Sequence, residues 1–318
     1  MARKIVIDTD PGIDDAIALS IAMFDPEVEI IGLTSVAGNA SAQVTARNLR
    51  GIVEFLDPPK LPRIGQGEEP DKCMPLEDAP LFGPDALGGF ELPVAPRCNP
   101  TPAEKIICDA VRRHPHEVTI LTFGPLTNVA RALRRDPEIA VLVDRVIIAG
   151  GTYLVPGNVL PMSEFNIYCD PVSAQIVFES ACHKALVPLD VTNKVSFSLE
   201  VFQEIPPKEH RFGDFLHKTL RSAYRIYRQR YGVEQLNLQA PAAYFVLTRP
   251  NLFKTSLAAV EIETTGTLTR GATVFDRRIP SQWSANVELF SNVNEKKVRE
   301  LTIERLNQTD LILSRKER

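Results

Sequence analysis

Asp8, Asp10, Asp14 and Asp15 place four carboxylates within the eight residues Asp8-Thr9-Asp10-Pro11-Gly12-Ile13-Asp14-Asp15, and packing gives no reason for such a cluster. Like charges held this close repel and raise one another's pKa values unless a cation neutralises them, and a hard cation with oxygen ligands is the simplest partner. The plainer alternative is an Asp/Pro/Gly turn with Asp14 capping the helix that follows. Other polar groups recur after apolar runs: Gly38-Asn39, Gly124-Pro125-Leu126-Thr127-Asn128, Gly157-Asn158 and Glu164-Phe165-Asn166. The Gly-Pro bend leaves the Phe123 carbonyl free of a sheet ladder and able to bind an ion. Asn158, Glu164 and Asn166 suit a sugar, because Asn offers donor and acceptor while Glu accepts from hydroxyls. Taken singly, Asn39 and Asn158 also read as turn residues, and Glu164/Asn166 as a surface turn.

The elements that must position these groups alternate between strand and helix. Ile5 to Ile7 reads as a buried strand and Ala16 to Phe24 as a buried helix, which puts the acids on the turn at the strand's carboxyl end, where open α/β sheets keep their sites. Glu29 to Ala37, Val118 to Phe123, Arg145 to Ala149 and Ala185 to Leu189 read as further strands. Helices are predicted from Ser41 with an apolar face of Leu49, Ile52, Val53 and Leu56, from Leu126, over Pro171 to Ser180, over 208–231 and over 240–247. The segments 257–264, 272–276 and 285–290 read as strands, Asn294 to Asn307 as a closing helix, and 57–104 as loops with one short strand. Nothing resembles a repeat or an interdomain linker, so a single α/β domain over 1–318 with a largely parallel, Rossmann-like sheet is expected.

Composition narrows the partners. The chain has 318 residues and a net charge of −4, so it offers no basic surface for nucleic acid and points to a small molecule. No run of apolar residues is long enough for a membrane span, and nothing at the start reads as a signal peptide, so a cytoplasmic protein is expected. Cys73, Cys98, Cys108, Cys169 and Cys182 lack C-x-x-C spacing, which argues against a disulfide framework or a zinc site.

Over nearly its whole length the chain resembles the calcium-dependent nucleoside hydrolases of the inosine-uridine preferring type. The resemblance rests on the acidic motif at 8–15, Gly38-Asn39, Gly124 to Asn128, Glu164-Phe165-Asn166-Ile167-Tyr168, Pro188-Leu189-Asp190-Val191-Thr192, Gly266-Thr267-Leu268-Thr269-Arg270-Gly271 and Ala285-Asn286-Val287. It implies hydrolysis of a ribonucleoside to ribose and free base with Ca2+ at the strand ends, in an assembly of two or four copies. It also implies that Asp10, Asp15 and the Phe123 carbonyl hold the ion with Asp8 supporting them, and that Asp10 takes a proton from the attacking water. Asp14, Asn39, Asn158, Glu164 and Asn166 would then hold the ribose hydroxyls. An oxocarbenium-like transition state makes a carboxylate-rich pocket chemically apt.

The chain departs from that family where a His-Asp pair usually precedes a Pro-x-Leu-Phe turn. Aligning backwards from Pro250-Asn251-Leu252-Phe253 puts Gln239 and Ala240 there, so the ion loses an anionic ligand and the leaving base loses a proton donor. A further family His is replaced by Phe82. Tyr224, Tyr227 and Tyr231 share one face of the helix at 208–231, with Arg221, Arg225 and Arg228 beside it; Tyr227 is expected to contact the base, unless the tyrosines simply pack on the core. Besides a working hydrolase, the residues allow a weakened relative that binds nucleosides without efficient turnover. A phosphatase built on Asp8 and Asp10 is the third reading, and it leaves Asp14, Asp15, Glu164 and Asn166 unexplained.

Overall fold

The computed structural model describes residues 2–70, 81–93 and 100–316. The expected loops at 71–80 and 94–99, with Cys73 and Cys98, lie outside the described residues. The main sheet holds β1 (Arg3–Thr9), β2 (Val28–Ser35), β3 (Arg63–Gln66), β4 (Thr101–Pro102), β5 (Val118–Thr122), β6 (Arg145–Ala149) and β7 (Lys184–Val187). A two-residue strand β8 (Ser196–Phe197) pairs with β9 (Leu236–Asn237), β10 (Phe253–Ala258) returns to the main sheet, and β11 (Val260–Ile262) pairs with β12 (Thr273–Phe275). With β13 (Val287–Val293) the main sheet has nine strands in the order β10-β13-β7-β6-β5-β1-β2-β3-β4, parallel throughout except at β10/β13.

Successive side chains in the central strands go to opposite faces, each covered by helices. Ile5, Ile7, Leu121, Ile147 and Val187 join a core formed with helices Ile13–Ala22, Ala42–Leu56, Arg211–Tyr231, Gln239–Thr248 and Glu295–Lys316. Val6, Ile120, Val146, Ile148 and Leu186 join a second core under Ala103–Arg113, Thr127–Arg135 and Pro171–Glu179. Burial on both faces is why these strands read as unbroken apolar runs. The chain winds from β1 towards β4 in one direction and from β5 towards β7 in the other, so the order reverses between β1 and β5. A crevice opens at the carboxyl ends of such a pair, and the acidic motif leaves β1 at that point.

Several expected boundaries move. Asp8 and Thr9 belong to β1 rather than to the turn, while Asp14 and Asp15 stand in the first turn of the helix, whose N-cap is Gly12 and not Asp14. The expected strand 257–264 is two strands, because the chain leaves the main sheet at Ala259 between β10 and β11. The closing helix runs from Glu295 to Lys316, beyond the expected Asn307, because Thr309, Asp310 and Leu313 continue its buried stripe. Glu164 lies at the start of a short helix, Phe165–Cys169, instead of on an open loop.

Candidate active site

Asp8 is held inside the sheet. Its Oδ1 accepts from Thr34 Oγ1 at 2.5 Å and Asn128 Nδ2 at 2.8 Å, and Asn128 also donates to the Ser35 carbonyl at 2.9 Å. Asp8 Oδ2 is buried with no hydrogen-bond partner among the described residues. Burial pushes the Asp8 carboxyl up to about 7 against the pull of these two donors. Asn128 thus ties β1, the end of β2 and the helix Thr127–Arg135 together, a role that its place in the Gly124-to-Asn128 motif signalled without specifying.

Asp10 and Asp15 face each other across Asn39. Asp10 Oδ2 accepts the Asn39 backbone N–H at 2.7 Å, while Asp10 Oδ1 is buried and unpartnered among the described residues. Asp15 accepts from Thr9 Oγ1 at 2.7 Å, from the Gly12 N–H at 3.1 Å and from Asn39 Nδ2 at 3.4 Å. Asn39 Nδ2 reaches the Asp10 carbonyl as well, at 3.0 Å, so this amide braces the acids from one side. Glycine is required twice around Asp10: a Cβ on Gly38 would run into its Oδ2, and one on Gly124 would lie 2.5 Å from its Oδ1. Burial first, and then the charge of Asp15, hold the Asp10 carboxyl well above the usual carboxylate range. Burial and then Asp14 push Asp15 up to about 7.

Three of the sugar-binding candidates, Asn158, Glu164 and Asn166, follow β6, while Asn39 and Asp14 stay with the acidic motif. Glu164 is buried, and its Oε2 accepts from the N–H groups of Gly151 at 3.0 Å, Asn166 at 2.9 Å and Ile167 at 3.3 Å. Burial nevertheless raises its carboxyl to about 7. Asn166 Nδ2 donates to the carbonyls of Phe123 at 2.7 Å and Ala149 at 3.0 Å. The Phe123 carbonyl, expected to be free, therefore carries one hydrogen bond, which joins the end of β5 to the Glu164 side of the site; its second lone pair remains. Asn158 is exposed and accepts the Phe165 N–H at 2.9 Å.

Asp14, half-buried, accepts the backbone N–H of Ala240 at 3.3 Å, which brings the start of Gln239–Thr248 to the acidic motif. The three tyrosines divide. Tyr224 is buried in the core and donates to the Phe197 and Ser198 carbonyls at 2.6 and 2.7 Å, whereas Tyr231 is exposed. Tyr227 lies within the field of Asp14 and packs parallel to Phe82, centroids 6.4 Å apart at 11°, with Tyr231 edge-on at 5.5 Å. Burial, then the negative charge of Asp14, raises its phenol far above the ordinary value.

These acids set a pH dependence. The carboxyls of Asp8, Asp15 and Glu164 titrate near 7 in the folded chain and near 4 unfolded, so between those values the folded state binds more protons and stability falls as pH rises. Metal-free protein is expected to lose on the order of 5 °C in melting temperature between pH 5 and pH 7.5, with a bound metal ion recovering most of it at the higher pH. A calorimetric melt in chelator across that range checks it; a melting temperature that rises with pH would contradict it.

A carboxylate cluster at the switch point of a doubly wound sheet, braced by the Asn39 amide, suits a small hydroxylated ligand and a hard cation. Residues 5–300 match the sequence profile of the inosine-uridine preferring nucleoside hydrolases, and the chain belongs to that family. It is 34% identical over 290 residues to uridine nucleosidase 1 of Arabidopsis thaliana, covering 89% of this chain and 84% of that one. It is 36% identical over 298 residues to the non-specific ribonucleoside hydrolase RihC of Escherichia coli O157:H7, covering 93% and 95%. Among solved structures, the plant nucleoside hydrolase PpNRh1 superposes with a TM-score of 0.87 at 30% identity, over 96% of this chain and 99% of that one. A purine-preferring ribonucleoside hydrolase from Gardnerella vaginalis gives 0.89 at 26%, over 98% and 100%. The expected family, enzyme class and fold are borne out, and the phosphatase reading falls away.

Enzymes of this family cleave ribonucleosides to ribose and base and work with a metal ion. Among the described residues no three His, Cys, Asp or Glu side chains are grouped as a metal centre. The two facing carboxylates, the unpartnered Asp10 Oδ1 and the Phe123 carbonyl still fit a hard, oxygen-seeking cation that completes its shell with water and substrate. No described helix is long and apolar enough to cross a membrane.

Proposed function

We propose that this hydrolase uses calcium, held by Asp10, Asp15 and the Phe123 carbonyl, and that its Asp10 carboxylate is the general base. The observation that carries this reading is the buried Asp10 Oδ1, which has no hydrogen-bond partner among the described residues while Oδ2 is fixed by the Asn39 N–H. The ion, when bound, supplies positive charge that keeps the carboxylates ionised and organises sugar hydroxyls and water. Asp10 takes the proton of a water attacking C1′ of the ribose, and the C1′–N electron pair departs with the base. Asp14, Asn39, Asn158, Glu164 and Asn166 hold the ribose, and their carboxylates stabilise the positive charge that develops on the sugar ring. Tyr227 faces the base. The enzyme works as a single unit over 1–318 on free nucleosides, as a homodimer or homotetramer. The unpaired thiols of Cys108 and Cys182 support a reducing compartment, the cytoplasm.

Ala240, with no ligand to offer at the start of its helix, favours a second reading in which turnover is weak although binding survives. Binding and turnover of ribonucleosides against 2′-deoxynucleosides test the sugar assignment apart from the metal. Loss of a hydroxyl leaves a polar group of the site unpaired at about 1–3 kcal/mol, so deoxynucleosides should bind roughly 10- to 100-fold more weakly by calorimetry. Equal affinities would remove Glu164 and Asn166 from the ribose.

A further inference from the structure

We propose that this site is matched to ribosides whose leaving group departs without being protonated, N-ribosylated cationic heterocycles above all; the proposal rests on the hydrolase reading above. A neutral nucleoside leaves as a nitrogen anion unless it gains a proton in the transition state, and that needs an acid with a pKa near the working pH. Among the described residues, the groups around Tyr227 and Asp14 other than the carboxylates supply none, and a bound ion keeps those carboxylates ionised. Phe82 and Ala240 carry no transferable proton, and the Gln239 amide is no acid. The Tyr227 hydroxyl is held back by burial and by Asp14.

Histidine, the usual proton donor, is absent from this region altogether. The chain has five: His114 ends the helix Ala103–Arg113, and His116 and His183 precede β5 and β7 at the amino edge of the sheet, opposite the site. His210 pairs with Asp310 at 2.6 Å, and His217 faces the Pro206 carbonyl and the Phe202 ring. None lies at the carboxyl ends of β1 and β5.

What the region does offer is suited to a cation. The Tyr227 ring, packed parallel to Phe82 with centroids 6.4 Å apart, lies within the field of the Asp14 carboxylate, and a flat cationic ring docked here gains from the aromatic ring and from the negative charge. The reaction then balances without an acid. The water oxygen bonds to C1′, the C1′–N pair stays on the heterocycle, which leaves neutral, and the water's proton passes to Asp10 and on to solvent. Positive charge moves from the ring to the sugar, towards the acidic cluster.

The test compares kcat/KM in saturating calcium for 1-β-D-ribofuranosylpyridinium-3-carboxamide, 4-nitrophenyl β-D-ribofuranoside, uridine and inosine. The pyridinium riboside is expected to exceed uridine and inosine by about 100-fold or more, with the nitrophenyl riboside, a neutral substrate whose nitrophenolate also leaves without a proton, showing a similar kcat and a higher KM. Gln239→His, or Phe82→His should the first not fold, is expected to raise inosine hydrolysis alone and to add a pH dependence near the histidine pKa. Uridine or inosine within about tenfold of the pyridinium riboside would overturn the proposal while leaving the hydrolase reading intact. Rapid cleavage of the nitrophenyl riboside without the pyridinium riboside would overturn the preference for cations. Failure to cleave any of the four would instead strike the hydrolase reading itself.

Discussion

Asp10→Asn is expected to lower kcat/KM on any riboside by about 1000-fold or more while leaving the fold at least as stable as the parent's. The two Asp10 oxygens have separate tasks. Oδ2 takes the Asn39 N–H, and an Asn side chain can present its own oxygen there. Its amide nitrogen then falls at the buried, unpartnered Oδ1 position, where it can neither take a proton from water nor face a cation. Losing a buried charge beside Asp15 and Asp14 also relieves the repulsion that lifts the Asp10 carboxyl, so the melting temperature without metal should hold or rise at neutral pH. Turnover assays with a calorimetric melt decide it. Near-parental turnover would remove Asp10 from catalysis, and a collapse in stability would mean that the carboxylate serves mainly to hold the turn.

Ala240→Asp is expected to tighten calcium binding by about 10- to 100-fold, because ligand charge tunes the affinity of such sites over orders of magnitude. Ala240 is buried, and its backbone already meets Asp14, so a carboxylate placed here joins Asp10, Asp14 and Asp15 at the start of a helix. Without metal the same carboxylate adds like charge to a buried cluster, so the variant should melt below the parent in chelator and above it in calcium. Calorimetric titration of both proteins reads the affinity directly. An unchanged affinity would take Ala240 away from the ion, and with it the alignment from Pro250. Tighter calcium with no gain in turnover on neutral nucleosides would leave Gln239 as the limiting residue, consistent with a base that must leave unprotonated.

The acidic motif could be read from sequence because Ile5-Val6-Ile7 runs directly into charge, a change that only a buried strand ending in a site explains. What sequence could not show was which acid does what. Asp8 looks like a member of the turn, yet it is a strand residue. The partners that make its burial tolerable, Thr34 and Asn128, lie 26 and 120 residues away. Tyr224 and Tyr227 share a helix face, and only their neighbours separate them: backbone carbonyls for one, Phe82 and Asp14 for the other. The brace from Asn166 to the Phe123 carbonyl joins residues 43 apart, beyond any local pattern. The edge strand β10 showed no alternation because residues 254–257 are exposed throughout, and the chain's exit at Ala259 left no Gly or Pro to mark it.

The most direct test of a hydrolytic riboside site at the β1/β5 switch point is chromatographic measurement of ribose and free heterocycle released by the purified protein, first in calcium, then in chelator, then after calcium is restored. Equal amounts of ribose and heterocycle, lost on chelation and recovered on readdition, are predicted. No ribose from any riboside at any calcium concentration, or ribose release indifferent to the ion, would contradict the assignment of Asp10 and Asp15.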